Sequence, residues 1–350
     1  MRRNCLSLAA GILFIAANAW SQSGPYKILK TAKTGGAGGF DYVFADSEGR
    51  RLYVPRSGPE ARVSVFNLDT LEPVGEIQKT NGHGATVDPK SGHGFASSKP
   101  VAMWDTKTLA PIKTIEVQGG PDGILFDPFN QRVWIFSHGQ PNATIIDAKT
   151  GDVVKTMDLG GAPEQAATDG KGRLYVDLED KDKVAVVDTQ KLEVVTTYDL
   201  GGKGGTPAGL ALDEKNHILF VACRNPANMV MLNADDGKIL DALPIGAGSD
   251  GAVFNPKTME AFSSQGDGTL TVIKEKSKTS FEVEQTVQTP PRAKTLTLDS
   301  KTSHILLITA EFQAPPPPPA GAPPPPAGRG GRGRGGVMVP DSFTILEVGK

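Results

Sequence analysis

One of the chain's five histidines, His83, stands between two glycines in "NGHGATVDPKSGHGF" (81–95). An imidazole there can act as a general base, a metal ligand or a hydrogen-bonded turn residue. Carboxylates occupy comparable stretches: Asp41 in "GGFDYVF", Asp122 in "PDGILF", Glu164 in "PEQAAT" and Asp250 in "SDGAVF", with Lys294 in "RAKTLT". Acids and imidazoles held together bind a cation or exchange protons, whereas acids facing arginine or lysine neutralise one another. Which chemistry is possible depends on what brings residues so distant in sequence to one place.

An internal repeat does so. "FDYVFADSEGRRLYV" (40–54), "PEQAATDGKGRLYV" (163–176) and "PAGLALDEKNHILFV" (207–221) share one plan. An apolar run ends in an acidic residue, a polar turn follows, and a β-rich run returns. The marker falls at Asp46, Asp88, Asp127, Asp169, Asp213, Asn255 and Asp299, with gaps of 39–44 residues. That is the period of a four-stranded propeller blade. The second half of each unit is equally regular, as in "VSVFNLDTLEPVGEI" (63–77), "ATIIDAKTGDVVKTM" (143–157) and "VAVVDTQKLEVVTTY" (184–198). Each shows an alternating strand, an Asn- or Asp-led turn and another strand. The fold class is therefore all-β, a seven-bladed β-propeller of four-stranded blades with strands a to d.

The seventh blade is interrupted. Residues 292–312 supply its strands a and b and "DSFTILEV" (341–348) its strand c, after which the chain reaches Lys350. "YKILKTAKT" (26–34) has no a, b or c of its own and is predicted to complete that blade, closing the ring and removing its open edges. Between b and c lies "APPPPPAGAPPPPAGRGGRGRGG" (314–336), whose proline and Gly-Arg runs cannot bury a core and predict disorder. It emerges on the strand b–c side, where Arg329, Arg332 and Arg334 would be able to approach the channel as a loose lid.

Five residues before each marker lie Asp41, His83, Asp122, Glu164, Ala208, Asp250 and Lys294. His83 is thus one member of a seven-position ring, placed where each strand d hands over to the next strand a, at one mouth of the channel. The next residue is often glycine (Gly84, Gly123, Gly209, Gly251), as suits strands crowding towards an axis. The b–c loops open on the same face and carry Arg56, Lys99, His138, Glu179, Arg224, Gln265 and Glu311. His93, His217 and His304 recur in the a–b turn on the opposite face, which predicts a structural role. If ring neighbours are roughly 5–10 Å apart, each like-charge pair costs about 0.4–3 kcal/mol. Such a ring should bind a cation, engage arginines or raise some carboxylate pKa values. The plainer alternative is a solvated mouth whose groups pair with each other, with His83 and His138 as hydrogen-bonded structural residues. Cys223 and Trp134 read as core.

The first 21 residues read as a secretory signal peptide: Arg2 and Arg3, an apolar run from Leu6 to Ala17, then small residues at Ala17, Ala19 and Ser21. The run is too short to span a bilayer. Residues 22–350 then form one propeller domain, exported to the periplasm or beyond, with no membrane span and expected to be a monomer. Cys5 leaves with the signal, so Cys223 has no disulfide partner. The remaining 35 Lys+Arg against 39 Asp+Glu give a formal charge of −4 and no footprint for a nucleic-acid partner.

The motifs "RLYV" (51–54, 173–176), "VVDTQKLEVV" (186–195), "IIDAKTGDVV" (145–154) and the P-x-G blade starts at Pro121 and Pro207 resemble the YncE-like, YVTN-repeat β-propellers of exported bacterial proteins. The likeness spans about residues 26–350 apart from the insertion. The full Tyr-Val-Thr-Asn tetrapeptide does not occur: Tyr53-Val54 runs into Pro55 and Tyr175-Val176 into Asp177. The resemblance implies a seven-bladed propeller and no shared catalytic set.

No nucleophile motif, phosphate-binding glycine loop, haem-attachment motif or close-set metal signature occurs. No cofactor is evident, though a divalent cation at the channel mouth is compatible with the ring. The leading expectation is a non-catalytic scaffold binding a small molecule or an envelope protein through Asp41, His83, Asp122, Glu164, Asp250, Lys294, His138, Glu179 and Arg224. The alternatives are a lactonase-like hydrolase, with His83 or His138 as base and Asp122, Glu164 or Arg224 orienting substrate or holding a metal, and an accessory subunit of a periplasmic redox enzyme.

Overall fold

Each strand a ends on, or at blade 4 just before, an Asp or Asn whose side chain builds the turn after it. Asp88 accepts from the Lys90 amide at 2.9 Å, Asp169 from Lys171 at 2.7 Å, Asp213 from Lys215 at 2.9 Å and Asn255 from Lys257 at 3.1 Å. The repeated marker is thus a turn device that satisfies backbone donors and reverses the chain into strand b.

The computed structural model describes residues 24–140, 142–313 and 336–350. The leader expected over 1–21 and all but the last residue of 314–336 lie outside the described residues. The described chain forms seven antiparallel blades. Strands a of blades 2 to 6 are Gly82–Asp88, Pro121–Asp127, Pro163–Thr168, Pro207–Asp213 and Ser249–Asn255. Blade 1 differs because its strand a is split into Gly39–Phe40 and Phe44–Asp46, and in the gap the Tyr42 amide donates to the His83 carbonyl at 3.1 Å. No helix among the described residues is long and apolar enough to cross a membrane.

Blade 7 is completed as the repeat demands. Leu296–Asp299, His304–Thr309 and Thr344–Gly349 are joined by Lys27–Lys33, with Lys27 opposite Gly349 and Lys33 opposite Thr344. Tyr26 anchors this strand by exchanging backbone hydrogen bonds with the Gln285 side chain at 2.9 and 2.8 Å. On the turn face, Arg50 of blade 1 donates to both carboxylate oxygens of Asp299 of blade 7 at 2.8 Å each. Burial opposes ionisation of Asp299, but Arg50 and Thr302 outweigh it and hold the carboxyl at about 2. The insertion springs from a short antiparallel stem, with Gln313 N donating to Val337 O at 2.9 Å and Val339 N to Glu311 O at 2.8 Å.

The core is distributed between blades. Tyr175 and Val186 of blade 4 pack with Leu219, Val221 and Val230 of blade 5. Phe220 stacks on Phe254 of blade 6 at 5.2 Å between centroids. Burying each such side chain stabilises the fold by roughly 1.5–3 kcal/mol. Trp134 and Cys223 are fully buried, as expected, and burial pushes the Cys223 thiol well above its ordinary value. Nearest the axis only glycine fits: a Cβ on Gly209 would lie 2.6 Å from the Gly251 carbonyl carbon, and one on Gly123 would lie 2.7 Å from Glu164 O.

Candidate functional site

The strand-a starts and three b–c loops bring the nine candidate residues together. Eight of them form a closed circuit in which acid and base alternate. Asp41 Oδ2 lies 3.1 Å from His83 Nδ1, which lies 3.4 Å from Asp122 Oδ1. Asp122 Oδ2 lies 3.7 Å from His138 Nε2, which lies 3.5 Å from Glu164 Oε1. Arg224 Nη1 is 3.8 Å from Glu164, and its other nitrogen pairs with Asp250. Lys294 pairs with Asp250 and lies 3.7 Å from Asp41, closing the circuit. Glu179, the ninth residue, pairs with Arg224.

Alternation follows from blade geometry. Blade 5 presents Ala208 at its ring position, and Arg224, at the end of its strand b, donates to the Ser249 carbonyl at 3.0 Å and fills that place. His138 enters between Asp122 and Glu164 in the same way from the blade 3 loop. The other b–c residues, Arg56, Lys99, Gln265 and Glu311, do not join the circuit. Arg56 is buried, donating to the Gly36 and Gly38 carbonyls with its guanidinium 3.9 Å from the Phe343 ring centre. Gln265 is buried against Thr269 and Thr271, Lys99 caps the Gly119 carbonyl, and Glu311 pairs with Lys33. His93, His217 and His304 bond to Ala148 O, Asp235 and Glu347 in the opposite face's turns, as the repeat implies.

Two residues without a signal in the repeat link blades around the channel. Tyr42 of blade 1 donates to Glu164 Oε2 of blade 4 at 3.0 Å, which takes its side chain across the axis. Gln165 accepts from the Leu210 and Ala252 amides at 3.0 and 2.9 Å and donates to Ala252 O at 3.1 Å, tying blades 4, 5 and 6 together two residues below the ring. The channel at this mouth is therefore crossed by the Tyr42 side chain. The mouth's carboxylates are sunk, with Asp122 and Glu164 side chains 6% and 7% exposed, while His83 at 44% stands open to solvent.

Electrostatics divide the acids. Burial pushes Glu164 upward, but His138, Arg224 and Tyr42 together hold its carboxyl at about 2. Burial also opposes Asp41, which His83 and Lys294 bring below its ordinary value. Burial prevails at Asp250 and Glu179, which are both raised, and it drives Tyr42 well upward beside four carboxylates. Asp177, on strand b of blade 4, is fully buried and raised well above its ordinary value by burial and then by Glu164. Among the described residues five carboxylates here face two fixed cations, and with neutral imidazoles these groups sum to a net charge of −3. Cys223 turns away into the core between blades 4 and 5. A separate cavity of about 270 Å³ opens between those blades, lined by Tyr175, Tyr198, Arg173 and His217, and shares no residue with the circuit.

Fold and site together define a closed seven-bladed β-propeller with a charged channel mouth. No protein-family model matches the chain, and no curated protein matches it in sequence. Among solved structures it is similar to a chain of a mitotic checkpoint complex, with a TM-score of 0.68 and 12% identity over 88% of this chain and 95% of that one. It is also similar to a chain of Kuenenia stuttgartiensis hydrazine synthase, with a TM-score of 0.58 and 16% identity over 68% of this chain and 84% of that one. At these identities the likeness is one of fold.

Proposed function

We propose that this chain is an exported binding propeller that holds a small cation in the cup at its channel mouth. The convergence of sunk carboxylates around the Tyr42 side chain that crosses the channel carries this reading, because among the described residues those carboxylates outnumber the fixed cations. The leader-like start and the YncE-like motifs support an envelope setting without a shared catalytic set. A protein docking on the same rim is in keeping with the propeller chain of the checkpoint complex.

A second reading, a lactonase-like hydrolase, is favoured by one observation: His138 stands between Asp122 and Glu164, where an imidazole is oriented for base chemistry. One experiment separates the two. Residues 22–350 are purified, and melting temperature is measured with putrescine, ethanolamine and zinc chloride while γ-butyrolactone hydrolysis is assayed. The binding reading expects a cation-dependent rise in melting temperature that is lost in the Asp122→Asn, Glu164→Gln double variant, without turnover. Turnover abolished by His138→Ala would put the hydrolase in its place.

A further inference from the structure

The circuit has two unlike halves. Arg224 and Lys294 are permanent cations that already neutralise Glu179 and Asp250. In the other half the basic positions are His83 and His138, and an imidazole can serve as a ligand where a guanidinium or ammonium cannot. Three carboxylates, Asp41, Asp122 and Glu164, face those two rings, with Lys294 and Arg224 reaching only the outer two at 3.7 and 3.8 Å, so among the described residues this half is the more negative.

We propose that this half binds two divalent ions of the zinc class, one held by Asp41, His83 and Asp122 and the other by Asp122, His138 and Glu164, with Asp122 bridging. The inference rests on the cup reading and names its cation. In each triad the three ligand atoms lie within 4.8 Å of one another. The measured neighbour separations are 3.1, 3.4, 3.7 and 3.5 Å. Ligands about 2.0–2.2 Å from a tetrahedral ion stand about 3.3–3.6 Å apart. Two of the three ligand–ligand edges in each triad are therefore already close to those of such polyhedra. Asp122 presents Oδ1 to His83 and Oδ2 to His138, the division a bridging carboxylate requires.

The donor set selects the metal. One imidazole and two carboxylates per ion suit zinc-class ions better than calcium or magnesium, which prefer all-oxygen shells. Orientation is built in: the Tyr42 hydroxyl occupies Glu164 Oε2 and leaves Oε1 towards His138, and Lys294 lies on the Oδ1 side of Asp41 and leaves Oδ2 towards His83. Outer-shell partners of this kind typically change metal affinity about 10–100-fold when removed. The half-exposed His83 gives an ion a path from solvent to the sunk carboxylates.

The test uses chelator-treated residues 22–350 dialysed against zinc chloride, with bound metal measured by mass spectrometry and affinity by calorimetry. Two ions per chain are expected, falling to one in His83→Ala and one in His138→Ala, and to none held tightly in Asp122→Ala. Circular dichroism confirms that each variant folds. Cobalt substitution supplies a readout that does not depend on truncation: visible absorption of low-coordinate cobalt is expected in the parent. Tyr42→Phe should weaken the ion beside Glu164 about 10–100-fold and leave the other unchanged. No retained zinc, a single ion lost equally to either histidine variant, or two ions indifferent to both would overturn the assignment. If zinc fails while putrescine still raises the melting temperature through Asp122 and Glu164, the metal pair falls and the cup reading stands. If neither binds, both fall.

Discussion

The Tyr42 hydroxyl donates to Glu164 Oε2 at 3.0 Å from a blade three positions round the ring, so one hydrogen bond both crosses the channel and fixes a carboxylate of the cup. Glu164 is held at about 2 against the pull of burial. Its folded value is below its unfolded one, so its contribution to stability is present above about pH 4.3 and is lost as pH falls towards 2.

Tyr42→Phe removes one of the groups that hold Glu164 down. At pH 7 the variant should lose about 1.5–3 kcal/mol, the usual worth of a hydrogen bond to a charged group. The loss should shrink below pH 4, where Glu164 protonates in the unfolded chain. Chemical denaturation at pH 7 and pH 3 measures both. An equal loss at both values would mean that Tyr42 acts by packing alone.

Asp177 runs the other way. Its carboxyl is fully buried, and among the described residues neither oxygen has a hydrogen-bond donor. Its folded value lies well above the unfolded one, so its stabilising share is complete below about pH 3.9 and is lost as pH rises towards the folded value. Asp177→Asn keeps the neutral shape, so it should melt higher than the parent at pH 7 and nearly level with it at pH 3.5. Lower stability at pH 7 would show an ionised Asp177 with a partner of its own.

Starting the chain at Gly38 removes Lys27–Lys33 and leaves Thr344–Gly349 as an open edge. The truncated protein should melt at least about 10 °C lower, an amount corresponding to several kcal/mol, or aggregate. Scanning calorimetry and sedimentation check this. An unchanged melting temperature would show that the ring is held by blade-to-blade packing without its final strand.

Replacing residues 314–335 with a short Gly-Ser linker should shift the melting temperature by less than about 2 °C, because the 311–313 and 337–339 stem already completes the b–c connection. Thermal unfolding of the replaced chain, compared with the parent, decides it. A larger fall would assign the segment a packing role.

The fold was legible because a turn needs a carboxylate or amide at one fixed place in each blade, and seven such residues from Asp46 to Asp299 keep a common beat. Counting back from them located the ring, since strands a of blades 2 to 6 all start at the same register before the marker. The b–c loops were only partly legible. Their lengths place Arg56 and Arg224 in the same loop position, yet Phe343 offers Arg56 a ring to lie on and Asp250 offers Arg224 a counter-charge, both from other blades. Tyr42 and Gln165 left no trace, because each occurs in one blade and acts on another. Features that repeat can be read from one chain. Contacts across the axis require the closed ring.

The final strand of blade 7 also orders events in time. Lys27 pairs with Gly349 across all the blades that lie between them in sequence, so those blades must be in place before that seam can be sewn. Until then six blades stand in line with a free margin at either end, and the cup has no complete wall, since Lys294 meets Asp41 only across the seam. Assembly of the site is thereby tied to closure of the ring: an open row of blades presents parts of the circuit but not the circuit itself.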